Sequence, residues 1–222
     1  MNIDGLIFSF FNLDVIDRYY GFIVAGMWVT LQIAIAVVVS GLAMGFVLAF
    51  VRAYGFKPAN ALVVLFADTF RSLPPLVVIM MFFFAFPYID LSMSAFQATW
   101  LALTLVLAAF AEEIFMAGIQ ATPRGLMEAG RSSGLGWGQT MWYIVWPQAF
   151  KLAVPPLTNR VIAITKSTSL GAIVGLGEIL NNAQSASSSA GNPTPLTLCA
   201  IGSIVIFIPV VLAGRYLETR FH

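Results

Sequence analysis

Residues 19–51 read YYGFIVAGMWVTLQIAIAVVVSGLAMGFVLAFV, 33 residues without a charge. A bilayer-spanning helix takes about 20 residues, so the core of this run, 23–50, makes one span even when tilted. Working outward, Arg52 and Lys57 precede a second apolar stretch, 59–89, interrupted by Asp68, Arg71 and the step Leu73-Pro74-Pro75. Two prolines break the helical hydrogen-bond ladder, so this span is expected to be kinked or discontinuous there. Further spans are expected at 98–119, 153–173 and 196–214, with a small-polar loop at 181–195 and a polar, glycine-rich loop at 120–151. Upstream, residues 1–19 carry Asp4, Asp14 and Asp17 around a short apolar core, with no basic n-region and no small-residue cleavage pattern. They read as an interfacial amphipathic segment rather than a secretory signal, followed by one membrane domain over 20–217.

The composition agrees with lipid as the main solvent. Of 222 residues, 59% are hydrophobic and 9% are Asp, Glu, Lys or Arg, against about 25% charged in a soluble domain. A net charge of +1 leaves no basic excess for nucleic acid. Cys199 is the single thiol and His222 the single imidazole, which removes Cys/His zinc sites, Ser/His/Asp triads and any disulfide framework. No metal site and no bound cofactor are expected. A Gly-x-x-x-x-Gly-Lys-Ser/Thr phosphate loop is missing as well, so the chain cannot use ATP by itself through that motif.

Orientation follows from the basic residues, which are retained on the cytoplasmic side of spans. Five spans put Arg52, Lys57, Arg124, Arg131, Lys151, Arg215 and Arg220 on one face and Arg18 alone on the other. Seven against one places the N-terminus outside, with the 120–151 loop and the C-terminus in the cytoplasm.

That loop holds Glu128-Ala129-Gly130, three residues, Gly134, nine residues, then Ile144-Val145-Trp146-Pro147. The pattern resembles the Glu-Ala-Ala…Gly…Ile-x-Leu-Pro loop of the membrane subunits of ABC importers, with Gly130 for the second Ala and Trp146 for Leu. Phe70-Arg71-Ser72-Leu73-Pro74, Ala108-Ala109-Phe110-Ala111-Glu112-Glu113-Ile114-Phe115, Gly118-Ile119-Gln120, and Val154-Pro155-Pro156-Leu157-Thr158-Asn159 with Lys166-Ser167-Thr168-Ser169-Leu170 resemble the subfamily that imports polar amino acids and opines. The resemblance implies an all-α integral membrane protein with five transmembrane helices, a type I ABC importer permease-like fold and a cytoplasmic coupling helix. Glu128, Ala129, Gly130, Gly134, Ile144 and Pro147 would couple the chain to a separate ATP-binding cassette subunit, the site of ATP binding and hydrolysis. An extracytoplasmic solute-binding protein and a second permease subunit, identical or paralogous, would complete the importer in the bacterial inner membrane. The rival is an ion-coupled secondary transporter or channel, which an internal inverted repeat would favour; none is found in the sequence.

Six ionisable residues fall within the expected spans: Asp68, Arg71, Glu112, Glu113, Arg160 and Lys166. Each costs about 2.5 to 3.5 kcal/mol at a helix centre, so they are expected to face protein or water. Three acids against three bases suit a cavity for a zwitterion and equally suit internal neutralisation. Asp68 and Arg71, three apart, read most simply as an intrahelical pair. Glu112 and Glu113 point about 100° apart on a helix, so at most one faces a cavity, and the resemblance favours Glu113. Arg160 stands where the pattern has an acid, and Glu112 where it has a small residue, so these two are expected to form a relocated charge pair or to contact substrate separately. Asn159, Lys166, Ser167, Thr168 and Ser169 complete the candidate substrate-binding set, although the hydroxyls could instead bond back to their own helix. Gly41, Gly45 and Gly55 are expected to permit close helix approach.

Overall fold

A computed structural model describes residues 3–221; Met1, Asn2 and the sole imidazole, His222, lie outside the described residues. The described chain is helical, with no strand among its elements: α1 (Ile3–Phe10), α2 (Leu13–Tyr54), α3 (Lys57–Ser72), α4 (Pro75–Met80), α5 (Ala95–Ala121), α6 (Arg124–Ser132), α7 (Trp137–Thr140), α8 (Trp146–Lys166), α9 (Ile179–Ala190) and α10 (Thr194–Phe221). Three helices, Gly5–Tyr54, Ala95–Ala121 and Thr194–Arg220, are long and apolar enough to cross a membrane. Two broken pairs, Lys57–Ser72 with Pro75–Ile89 and Trp137–Val174 with Ile179–Ala190, bring the number to five if each is one span.

Local chemistry sets the boundaries. Asn12 Oδ1 accepts from the amides of Asp14 and Val15 at 3.0 and 3.3 Å, capping α2. The helix therefore begins at Leu13, well upstream of the apolar run. Helix α3 ends at Ser72 because Leu73, preceding Pro74, is extended (φ −87°, ψ 134°), and α4 restarts with Pro75 at its first position, where no amide proton is needed. Ser94 and Gln97 exchange reciprocal bonds of 2.9 and 3.2 Å, a capping box that starts α5.

The chain forms two units. The first comprises Met1–Val37, Pro75–Leu103 and Ile164–Val211. Its apolar centre is Ile23, Ile179, Ala183 and Cys199, where α9 lies so close to α2 that a Cβ at Gly26 would come within 2.9 Å of the Ile179 Cα. The buried Thr30 hydroxyl accepts from the Ile179 amide at 3.2 Å and donates to the Gly26 carbonyl at 3.0 Å. Helix α9 replaces the loop expected at 181–195. Glu178 caps it, accepting from the amides of Leu180 and Asn181 at 2.9 and 2.7 Å, Ala183 and Ala186 supply its buried side, and Gly191 at φ +59° ends it.

The second unit comprises Val38–Pro74, Thr104–Ala163 and Leu212–His222. Gly41 and Gly45 of α2 meet Leu107 and Ala111 of α5 with no room for a side chain. Gly55 differs from the expectation: nothing lies near it, and its φ of +88° marks a helix end instead. Trp146 is buried in an aromatic cluster, its ring 4.5 Å from Phe46, 5.7 Å from Phe115 and 6.4 Å from Phe50. The expected span at 153–173 is also redrawn, since α8 starts earlier at Trp146 and gives way after Lys166 to a 3-10 stretch, Ser167–Val174.

Candidate functional site

Within the second unit, charges from α2, α3 and α5 converge. Glu112 has no exposed surface, and Arg52 Nη1 reaches both of its oxygens, at 3.1 and 3.2 Å. The same nitrogen lies 3.4 Å from Glu113 Oε2, which also accepts from Arg71 Nη1 at 3.0 Å. Arg71 keeps a longer contact with Asp68, 3.8 Å, so the intrahelical pair exists but is the weaker of its two ion pairs. Glu112 and Glu113 face different surroundings, as successive helical residues must: the Glu113 side chain is 45% exposed against 0% for Glu112.

The expected pair of Glu112 with Arg160 is not formed. Arg52, in the last turn of α2, is the partner of Glu112. The Arg160 guanidinium lies over the ring of Phe110 instead, 3.4 Å from its centroid, with Arg71 at 5.9 Å from the same ring. Of these two cations Arg71 is paired with acids, whereas Arg160 has no ion pair among the described residues. Beside it, Asn159 is exposed and donates its Nδ2 to the Pro155 carbonyl at 3.3 Å.

The remaining candidates belong to the first unit. Lys166 is exposed at the end of α8. Thr168 is buried and donates to the Thr165 carbonyl at 2.8 Å, and Ser169 donates to the Lys166 carbonyl at 3.0 Å, the back-bonding that such hydroxyls make when they serve their own helix. Arg52 was invisible to sequence reasoning as a site residue, because it reads as a basic flank and its partner lies 60 positions away.

In the 120–151 region, Glu128, Ala129 and Gly130 sit on α6, a nine-residue helix with Glu128, Ala129 and Arg131 exposed. Gly134 closes it at φ +88°. The Leu135 amide bonds the Gly130 carbonyl at 3.2 Å and the Gly134 amide bonds the Arg131 carbonyl at 3.1 Å, the paired pattern of a Schellman stop. Gly130 is buried against the following segment: a Cβ there would lie 2.6 Å from Thr140 Cγ2 and 2.7 Å from Ile144 Cδ1. Pro147 is exposed at the second position of α8, beside the buried Trp146. Glu128, Ala129 and Gly130, three of the residues expected to couple, thus lie on a short helix with a defined stop, backed by Thr140 and Ile144, with Glu128 and Arg131 exposed.

Comparison with known proteins agrees with this arrangement. Residues 41–222 match the family described as binding-protein-dependent transport system inner membrane component. The chain is 32% identical to the probable glutamine ABC transporter permease protein GlnM of Bacillus subtilis (strain 168), over 95% of this chain and 98% of that one. It is 30% identical to the glutamine transport system permease protein GlnP of Escherichia coli (strain K12), over 89% and 92% respectively. The crystal structure of an amino acid ABC transporter with histidines superposes with a TM-score of 0.83 at 26% identity, covering 92% of this chain and 96% of that one. An all-helical chain with membrane-spanning helices, matched over most of its length, therefore belongs to the inner-membrane components of binding-protein-dependent transport systems, the permease subunits of ABC importers.

Proposed function

We propose that this chain is the translocating subunit of an ATP-driven importer of polar amino acids or opine-like derivatives. The observation that carries the reading is the end-to-end likeness to permeases named for glutamine. A separate ATP-binding cassette subunit binds and hydrolyses ATP and docks on the exposed side of α6, through Glu128, Ala129 and the turn at Gly134, with Gly130 seated against Ile144 behind it and Pro147 exposed at the start of α8. A solute-binding protein delivers substrate from outside, and a second permease subunit completes the path. The N-terminus lies outside and the C-terminus in the cytoplasm, as the basic residues direct. Arg71, Glu112, Glu113, Asn159, Arg160, Lys166, Ser167, Thr168 and Ser169 are the substrate-path set, with Glu112 and Thr168 in supporting roles because both are buried and already bonded.

The test is uptake of labelled polar amino acids by cells with and without the gene, and with ATP depleted. Uptake of at least one of them that requires both the chain and ATP is the expected result. Uptake unaffected by deletion, or driven by an ion gradient with ATP depleted, would overturn the reading.

A further inference from the structure

We infer that Arg160 and Glu113 form a clamp for the backbone of a free α-amino acid, Arg160 taking the carboxylate and Glu113 the ammonium. The inference rests on the importer reading above and names which atoms of the substrate the membrane path recognises. Arg160 is a cation on a helix that the family places in the bilayer, where an unneutralised charge is costly and marks a ligand or ion path. Its guanidinium lies over the face of Phe110, 3.4 Å from the ring centroid, and makes no ion pair among the described residues. None of the five guanidinium donors has a hydrogen-bond acceptor there, and a planar fork of donors matches a carboxylate.

The complementary group lies on α5, one turn along from Phe110. Phe110 and Glu113 are three residues apart on α5 and so share a face. Both cations that reach Glu113 bind its Oε2, leaving Oε1 without a partner on a side chain 45% exposed. An exposed carboxylate oxygen with free lone pairs accepts from an ammonium. Arg52 and Arg71 stay committed to acids, so Arg160 is the cation in this cluster available to a ligand. Across Asp68, Glu112, Glu113, Arg52, Arg71 and Arg160 the charges cancel, and a zwitterion, with one charge of each sign, preserves that balance.

The experiment uses the permease with its ATP-binding subunit in lipid nanodiscs, without the solute-binding protein, so that selectivity belongs to the membrane path. Labelled L-glutamine is the probe, competed by unlabelled glutamine, by glutaramic acid, which lacks the ammonium, and by 4-aminobutanamide, which lacks the carboxylate. Each analogue is expected to compete roughly 10- to 100-fold more weakly than glutamine, the effect of one charged hydrogen-bonding group. Arg160→Gln should abolish the preference for glutamine over 4-aminobutanamide, and Glu113→Gln the preference over glutaramic acid, while Arg160→Lys keeps its preference. An analogue binding as tightly as glutamine to the wild-type complex overturns the inference and depends on no variant folding. Preferences unchanged in well-folded Arg160→Gln and Glu113→Gln overturn it too. Glutamine uptake by cells with no glutamine binding by the complex overturns the clamp alone, whereas no amino-acid uptake by wild-type cells overturns the importer reading beneath it.

Discussion

Arg52 Nη1 lies 3.1 Å from Glu112 Oε1, joining the end of α2 to the middle of α5 through a carboxylate with no exposed surface. Removing one partner of a buried pair leaves the other charge uncompensated, at about 3 to 5 kcal/mol, whereas replacing both by apolar groups is often neutral. Arg52→Leu is therefore expected to lower the unfolding temperature of the purified permease sharply, and Arg52→Leu with Glu112→Leu to recover most of the loss. Cys199, the sole thiol and buried, makes a convenient reporter through a thiol-reactive dye that labels it on unfolding. A double variant no more stable than the single one would show that the loss does not come from leaving the Glu112 charge unpaired.

The apolar runs and the Leu73-Pro74 break were legible because each is a local signal: hydropathy over a span length, and a ring that removes an amide proton. Two features were not. Residues 181–195 look like a loop because Asn, Ser and Ala dominate, yet a helix forms between Glu178 and Gly191; glutamate is outside the usual capping residues, so the start signal is easily passed over. The pairing of Arg52 is likewise closed to a local reading, since the choice between Arg52 and Arg160 for Glu112 depends on how α2, α5 and α8 pack. Trp146 and Gly130, both departures from the family pattern, became intelligible only as a packed pair of neighbourhoods, the aromatic cluster and the Thr140–Ile144 backing of α6.

A second prediction concerns Trp146, whose buried indole N–H has no acceptor among the described residues. Trp146→Leu supplies the family's residue and removes that unsatisfied donor, but it empties ring volume against Phe46, Phe50 and Phe115. The cavity term is the larger, and a net loss of about 1 to 3 kcal/mol is expected. The same thiol-labelling melt checks it; a variant as stable as wild type would mean the ring cluster closes around leucine.

Topology gives the third. Reporter fusions at Ser188, on α9, and after Arg220, at the end of α10, should report opposite sides of the membrane, with Arg220 cytoplasmic. Both reporters on one side would show that α10 does not cross.

The fourth returns to α6. Alanine stands in the family pattern where this chain has Gly130, but here a Cβ would press on Thr140 Cγ2 at 2.6 Å and on Ile144 Cδ1 at 2.7 Å. Ile144 can swing its terminal methyl aside. Thr140 cannot easily do so, because it is fully buried and its hydroxyl donates to the Gly136 carbonyl at 3.0 Å. Overpacking of this kind costs about 1 to 3 kcal/mol, and α6 would be pushed off its backing rather than unfolded, since its Schellman stop at Gly134 is untouched. Gly130→Ala should therefore reduce uptake severalfold while the chain still reaches the membrane. Thr140→Ser deletes the offending methyl and keeps the hydroxyl that bonds Gly136, so Gly130→Ala with Thr140→Ser should restore uptake. If Gly130→Ala transports normally, α6 tolerates displacement and its seating on Thr140 does not matter to coupling. If the double variant stays as impaired as the single one, the defect lies in the docking face of α6 itself and not in the contact behind it.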